Sequence, residues 1–194
     1  MPGSRVLEIT EKAVSVVRGN FTIFQGVKMK KIIFILFLLS FFTISAEENY
    51  SFELYSMSGK LVSTEEIMKK SDAKYLIVDF FSLICEPCKR SLPEWEKFYK
   101  ENKAKGFEFL LVMLPATGDR RKQEKALKDY FKKNSFSLES VFDKYSVVGK
   151  KFGVVEKSGD VTLPMIFVLD KSGKLLFKAT SHEEAIAKIK KLKQ

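Results

Sequence analysis

The pattern of apolar and polar residues along the chain predicts several strands. Two short extended segments, 51–54 and 57–62, flank a Ser-Gly turn and predict an N-terminal β-hairpin. The run Tyr75–Phe81 is apolar at almost every position and rich in β-formers, and Phe107–Leu114 has the same character. Such runs are typical of strands that are covered on both faces. These segments therefore predict a hairpin followed by two central strands.

Helical periodicity marks the segments that separate and follow these strands. Helices are predicted from the Ser63–Glu66 capping box to Lys70, at 86–102, at 120–133, in short irregular form at 145–152, and from the capping box Ser181–Glu184 onward. A short strand is predicted at 140–142, and 165–169 pairs with 174–178 around the turn Asp170–Gly173. Strands alternating with helices, then a hairpin and a closing helix, predict a three-layer α/β domain.

Composition narrows the class of protein. The 194 residues correspond to about one domain, and 45% hydrophobic with 30% charged residues is a globular balance that excludes wholesale disorder. The net charge is +10, but basic and acidic residues alternate over most of the chain, so we predict solvated helix faces and no nucleic-acid site. Two cysteines and one histidine are too few for a structural zinc site, and no metal is expected.

Residues 29–46 predict a targeting segment. Two lysines precede an apolar run of about 14 residues, which is shorter than a membrane-spanning helix needs and ends at Ser45 and Ala46. A signal peptide cleaved after Ala46 fits this pattern. An N-terminal anchor formed by residues 32–45 is the alternative, because Ile44 stands where signal peptidases prefer a small residue.

The segment before those lysines does not fit a secreted protein. A long mixed stretch, residues 1–28, precedes the basic residues that should open the signal. We interpret it as an over-extended reading frame with the true start at Met29, an interpretation that precursor peptides upstream of Met29 would contradict. The folded domain is then expected to comprise residues 47–194 and to lie in the periplasm or another extracytoplasmic space.

The chemistry that the sequence offers lies in Cys85-Glu86-Pro87-Cys88, directly after a predicted strand and at the start of a helix. The partial positive charge of a helix N-terminus stabilises a thiolate, so the leading cysteine becomes nucleophilic. Pro87 costs no hydrogen bond at an early helical position. The spacing predicts an exposed, attacking Cys85 and a more buried Cys88 one turn later. A structural disulfide is the alternative, although so short a loop stabilises little.

These residues resemble the thioredoxin pattern over about residues 50–192. The matching positions are the acid Asp79, the CxxC motif, the kinking proline Pro93 and Leu163-Pro164 before a strand. Within that superfamily, the CEPC sequence, the N-terminal hairpin and the extra segment at 119–150 are similar to TlpA/ResA-like extracytoplasmic thioredoxins. The resemblance implies a thioredoxin fold: a central mixed sheet flanked by helices, with an N-terminal β-hairpin and an inserted helical segment.

The resemblance also implies a mechanism. Cys85 attacks a substrate disulfide to form a mixed disulfide, and Cys88 then resolves it. Asp79, if buried beneath the motif, has a raised pKa and accepts the Cys88 proton. Leu163 and a cis Pro164 present a backbone edge to the substrate. No cofactor is implied other than the redox-active disulfide of Cys85 and Cys88.

Glu86 and Pro87 are the residues expected to tune the redox pair. The negative charge of Glu86 disfavours the neighbouring thiolate, which favours a protein-disulfide reductase over an oxidase. The family implies protein thiol or disulfide clients, apocytochrome c among the candidates, and a membrane electron donor. We further expect a monomer. His182, in the last capping box, is interpreted as part of the helix start only.

Two other function classes remain open at this point. The first is peroxide reduction on the same fold, which the sequence disfavours because Ser82 and Val78 stand where a peroxidase has threonine and proline. The second is a binding or chaperone-like module in which the disulfide is incidental.

Overall fold

The computed structural model describes residues 49–115 and 119–192. Its elements, in chain order, are β1 (Glu53–Tyr55), β2 (Leu61–Ser63), α1 (Thr64–Ser71), β3 (Tyr75–Phe81), α2 (Glu86–Asn102), a 3-10 helix (Lys103–Lys105), β4 (Phe107–Met113), α3 (Arg120–Asn134), β5 (Ser140–Phe142), α4 (Val147–Lys151), β6 (Met165–Asp170), β7 (Leu175–Ala179) and α5 (His182–Leu192). The targeting segment predicted at 29–46 and the over-extended segment predicted at 1–28 lie outside the described residues. Among the described helices, none is long and apolar enough to cross a membrane.

Five strands form one mixed sheet in the order β5-β4-β3-β6-β7. β4 is parallel to both β3 and β5, whereas β6 is antiparallel to both β3 and β7. β1 and β2 form a separate antiparallel pair, which confirms the predicted N-terminal hairpin. Because β3 lies at the centre, its carboxyl end is flanked by the carboxyl end of β4 and the amino end of β6. The CEPC motif comes shortly after the carboxyl end of β3, the central strand.

Both faces of β3 are buried, which explains why its sequence is apolar almost throughout. Its even-numbered residues join a core that contains Phe152 and Phe167, whose ring centroids are 4.9 Å apart. Its odd-numbered apolar residues join a second core, to which α2 contributes Leu92 and Trp95. Successive strand residues point to opposite faces, so Asp79 belongs to the face under α2.

Most predicted elements are confirmed, and α2 agrees with its predicted bounds and continues through Pro93. The segment 119–150 contains α3, β5 and α4, which confirms the inserted helical segment and its short strand. The β6–β7 hairpin is also confirmed. In its turn, the Asp170 carboxylate accepts a hydrogen bond from the Ser172 N–H at 2.8 Å, and Gly173 has a φ of 83°.

The capping box predicted at Ser63–Glu66 is wrong. Ser63 precedes α1 with an extended backbone, but its side chain makes no capping hydrogen bond. Ser63 is also the last residue of β2, so strand pairing sets its direction. Thr64 bonds to the backbone of Phe52 instead: its hydroxyl accepts from the Phe52 N–H at 3.1 Å and donates to the Phe52 carbonyl at 3.3 Å.

Candidate active site

The two cysteines lie where β3 leads into α2. The backbone N–H of Cys85 donates to the carbonyl of Ser82 at 3.0 Å and closes a turn at the end of the strand. Cys85 is the N-cap residue of α2, and its sulfur accepts a hydrogen bond from the Cys88 N–H at 3.2 Å. Pro87 occupies the second helical position, where its missing N–H costs nothing. Both sulfurs therefore lie at the helix start, where a thiolate is stabilised.

Cys85 and Cys88 are joined by a disulfide bond, and their Cα atoms are 5.3 Å apart. Cys88 is fully buried, and Cys85 is 9% exposed. The prediction of an exposed Cys85 is therefore wrong in degree, although Cys85 lines a groove. Cys85 is still the more accessible of the two cysteines.

The groove that contains Cys85 has a volume of about 390 Å³ and mostly apolar walls. Two apolar residues on it are unusually exposed: Ile84 at 70% and Val161 at 45%. The Leu163–Pro164 peptide bond, just beyond Val161, is cis. Of the residues that the sequence singled out, the groove brings together Cys85, Glu86, Pro87 and Leu163, while Cys88 and Asp79 are buried and do not line it.

Asp79 is buried on the face of β3 that α2 covers, with 1% of its surface exposed. Burial raises the pKa of its carboxyl well above the usual value, and the indole N–H of Trp95 offsets part of that shift. The contact between the two side chains is nevertheless not a well-formed hydrogen bond, because neither Asp79 Oδ1 nor Trp95 Nε1 has a hydrogen-bond partner among the described residues. Trp95 and Cys88 lie on the same buried stripe of α2. The carboxyl therefore faces the helix that carries the buried cysteine.

Glu86, the charged residue of the groove, is paired with a lysine. Lys89 Nζ donates a hydrogen bond to Glu86 Oε1 on the first turn of α2. The lysine offsets part of the negative charge that the sequence places beside Cys85. The predicted tuning by Glu86 therefore acts through a carboxylate that is already paired.

A second cavity, of about 260 Å³, lies beside Pro87 and Pro164. His182 lines it and is 6% exposed. Its Nδ1 lies 3.1 Å from Glu94 Oε2, and its ring packs edge-on against Trp95 with centroids 4.9 Å apart. The interpretation of His182 as a helix start only was incomplete: it begins α5, but its side chain reaches α2. Nothing in the local sequence signals that contact.

Ser82 is a polar residue of the groove, three positions before Cys85, where a peroxidase has threonine. It is 3% exposed, lines the groove together with Cys85, and its hydroxyl has no hydrogen-bond partner among the described residues. Its spacing to Cys85 was the one signal that could have assigned it to the site, and the sequence used that spacing only to disfavour peroxide reduction.

Across residues 49–115 and 119–192, no group of three or more histidine, cysteine or acidic side chains is placed to hold a metal ion. That the protein needs no cofactor besides its disulfide stays a prediction.

The chain is similar to known proteins over this same region. The model of the AhpC/TSA family matches residues 46–178. The thiol-disulfide oxidoreductase ResA of Bacillus thuringiensis is 25% identical over 130 residues, which cover 67% of this chain and 66% of that protein. The sporulation thiol-disulfide oxidoreductase A of Bacillus subtilis is 23% identical over 116 residues, covering 60% of this chain and 65% of that protein. The chain thus spans just under two thirds of each relative.

A solved structure identifies the fold. The thioredoxin domain of a thiol-disulfide oxidoreductase from Bacteroides vulgatus superposes with a TM-score of 0.58, at 22% identity, over 77% of this chain and 99% of that chain. The thioredoxin fold predicted from the sequence is confirmed.

The buried carboxyl yields a testable prediction about stability. Because the folded state disfavours ionised Asp79, the wild-type protein loses stability as the pH rises from the usual aspartate value of about 4 through the raised folded pKa. An Asp79→Asn variant lacks that loss. Its free energy of unfolding relative to wild type should therefore increase with pH, by about 1.4 kcal/mol for each unit that separates the folded and unfolded pKa values.

Urea unfolding of the disulfide-intact proteins between about pH 4 and about pH 9 measures this difference. Leu176→Ser, which alters no titratable group, is the control and should differ from wild type by an amount that does not change with pH. A pH-independent difference for Asp79→Asn would contradict the assignment of a buried, hard-to-ionise carboxyl.

Proposed function

Because the chain belongs to the AhpC/TSA family, we propose that it is a thiol-disulfide oxidoreductase whose Cys85–Cys88 pair reduces disulfide bonds in other proteins. The observation that carries this proposal is the placement of the pair, with Cys85 in an open apolar groove and Cys88 buried behind it. The curated relatives that the chain resembles are named thiol-disulfide oxidoreductases. A purely structural role for the disulfide is less favoured than a redox role. A loop of two intervening residues restricts the unfolded chain little, so the bridge would add little stability.

The first step is attack by the Cys85 thiolate on a client disulfide. An electron pair on Cys85 Sγ forms a new S–S bond to one client sulfur, and the client bond breaks. The second client sulfur leaves as a thiolate and takes a proton from solvent. The helix N-terminus and the Cys88 N–H, which already lies 3.2 Å from Cys85 Sγ, stabilise the attacking thiolate.

The second step releases the client. Cys88 loses its proton and attacks Cys85 Sγ, which re-forms the Cys85–Cys88 disulfide and expels the other client sulfur as a thiolate. We assign the proton to Asp79, which faces the buried side of α2. Its raised pKa brings it closer to that of a thiol, which makes ionised Asp79 a better base than an exposed aspartate. Two electrons have then passed from the protein dithiol to the client.

The groove supports a polypeptide client with an apolar side chain beside its cysteine. Ile84 and Val161 expose apolar surface in the groove of Cys85, and Leu163, which precedes the cis Pro164, lines the same groove. A client segment lying along Leu163 can bury that surface and present its disulfide to Cys85. Apocytochrome c is one client class to test.

We assign the reducing direction from the charge beside the pair. The Glu86 carboxylate disfavours the Cys85 thiolate and so favours the disulfide, which makes the dithiol a stronger reductant. Its pairing with Lys89 moderates this effect. Each turnover leaves the protein oxidised, so a donor of two electrons must restore it; in an extracytoplasmic space, a membrane reductase fits that role.

Cys88 is the resolving cysteine of the proposed mechanism, and its removal should trap the client. A Cys88→Ala variant cannot complete the second step, so it should accumulate a mixed disulfide between Cys85 and its client. The adduct should be visible as a dithiothreitol-sensitive band on a non-reducing gel and should map to Cys85 by mass spectrometry.

A Cys85→Ala/Cys88→Ala double variant is the matched control and should capture nothing. If the Cys88→Ala protein also captures no protein thiol, the oxidoreductase proposal fails in favour of a binding module. Rapid consumption of hydrogen peroxide by the reduced wild-type protein, without disulfide reduction in protein substrates, would favour peroxide reduction instead.

Another functional prediction concerns the apolar rim. Ile84→Ser and Val161→Ser should each raise the KM for a peptide disulfide flanked by apolar residues about tenfold, since partial burial of one such side chain contributes on the order of 1–2 kcal/mol. Reaction with dithiothreitol, which is too small to cover the rim, should not change. Leu176→Ser, in β7 and outside the groove, is the control. Equal losses toward both substrates would contradict recognition by the rim.

The protein is expected in an extracytoplasmic space. The lysines and apolar run of residues 29–46 support export, with cleavage after Ala46 or retention as an anchor. N-terminal sequencing of protein from the extracytoplasmic fraction should begin at Glu47, or at Met29 if the anchor is retained. Recovery of the protein from the cytoplasm alone would contradict both.

A further inference from the structure

Gly149, in the middle of α4, packs where no side chain fits. A Cβ atom added there would lie 2.7 Å from Val155 Cγ2 and 2.9 Å from Leu114 Cδ2, whereas carbon atoms in contact keep about 3.5–4.0 Å apart. Both neighbours are buried, Leu114 at 4% and Val155 at 6% exposure. The glycine therefore lets these two side chains lie directly against the backbone of α4.

The backbone of Gly149 is held in place from two sides. Its N–H donates to the Asp143 carboxylate at 2.8 Å, and the Asp143 N–H donates at 2.9 Å to the carbonyl of Met113, the last residue of β4. The Gly149 carbonyl accepts the N–H groups of Val154 and Val155 at 2.8 and 3.1 Å. These bonds tie α4 to β4 and to the segment that follows α4, so the helix cannot retreat from an added side chain without breaking them.

Each neighbour of Gly149 shapes the groove that contains Cys85. Leu114 lines the groove directly. Val155 forms an antiparallel bridge with Val161, whose exposed side chain lines the groove as well. Leu114 and Val155 otherwise belong to the apolar core, and protein cores are close-packed. Side chains displaced from α4 therefore have room only toward the groove.

We propose that Gly149 determines client specificity: by leaving room for Leu114 and Val155, it keeps the groove wide enough for a large apolar side chain beside the client cysteine. The inference rests on the proposed function and deepens it, because it names a residue that selects which clients fit. Gly149 does not line the groove itself. It acts through its two neighbours and is therefore a positioning residue.

A methyl group at Gly149 should narrow the groove without altering the redox pair. The Leu114 N–H donates to the Phe81 carbonyl at 2.8 Å, which holds the backbone of Leu114, so the side chain has to move. A client with leucine beside its cysteine should then bind less well than a client with alanine there, because the smaller side chain still fits. The chemical steps at Cys85 and Cys88 should keep their rates.

The test measures the reduction of two peptide disulfides, with dithiothreitol as the electron donor. The peptides differ in one residue beside a cysteine, which is leucine in the first and alanine in the second. In Gly149→Ala, the ratio of the KM for the leucine peptide to the KM for the alanine peptide should rise about tenfold, with kcat unchanged for both. Gly106→Ala is the matched control. It adds a methyl group just before β4, at the end far from the groove, where a φ of 85° and a contact of 3.3 Å with Lys74 Cγ also disfavour alanine. It should lower stability and leave the KM ratio unchanged.

The added methyl group should have less effect where one neighbour has been shortened. In a Val155→Ala or a Leu114→Ala background, Gly149→Ala should raise the KM ratio only about threefold, because one of the two crowded contacts is gone. An unchanged KM ratio in Gly149→Ala, or an equal rise in Gly106→Ala, would overturn the inference. A rise of about tenfold in both shortened backgrounds would overturn it as well.

If Gly149→Ala does not fold, the Gly149→Ala/Val155→Ala protein decides, because it lacks the closer of the two contacts. A rise of about threefold in the KM ratio relative to Val155→Ala supports the inference, and no rise overturns it. A wild-type protein that reduces neither peptide would overturn the proposed function and the inference with it. Reduction of both peptides by the wild type, with a KM ratio that Gly149→Ala does not change, would overturn the inference alone.

Discussion

The redox pair depends on the packing of α2 against the odd-numbered face of β3. Leu92 and Trp95 are fully buried in that contact, and burial of side chains of this size contributes roughly 1.5–3 kcal/mol or more each. The contact fixes where the helix begins relative to the end of the central strand. Because Cys85 is the N-cap of that helix and Cys88 lies one turn inside it, the same contact determines which sulfur reaches the groove and which is buried.

The polar groups around the pair occupy different positions relative to the two cysteines. Asp79 lies on the face of β3 that α2 covers, where burial raises the pKa of its carboxyl, and in the proposed mechanism it accepts the proton of Cys88. Glu86 and Lys89 form an ion pair at the surface of the first turn, beside the attacking sulfur. Ser82 lines the groove, and its buried hydroxyl has no hydrogen-bond partner among the described residues. Low dielectric strengthens the influence of buried Asp79, whereas solvent reaches the Glu86 carboxylate and weakens its influence.

The sequence predicted those parts of the molecule that depend on local pattern. The central strand was recognisable because Tyr75–Phe81 is buried on both faces, and α2 because its apolar stripe recurs at helical spacing from the CEPC motif onward. The predicted capping role of Ser63 failed because that residue also ends a paired strand, a competition that no local rule describes.

Features that depend on distant residues could not be predicted in the same way. The groove in which Cys85 lies is lined by Leu114, Pro115 and Leu163, which come from other parts of the chain. His182 meets Trp95 and Glu94 only because α5 packs beside α2. Ser82 is joined to Cys85 by a backbone hydrogen bond and lines the same groove. Sequence pattern identified the reacting pair, and tertiary contacts determine its surroundings.

The central claim, that the Cys85–Cys88 pair works as a reductant, is tested most directly by its equilibrium reduction potential. The wild-type protein, equilibrated in defined thiol buffers, can be alkylated and its oxidised fraction measured by mass spectrometry. We predict a potential near or below about −250 mV, in the range of thioredoxin. A value near about −120 mV, typical of a strong protein oxidant, would contradict the reducing direction.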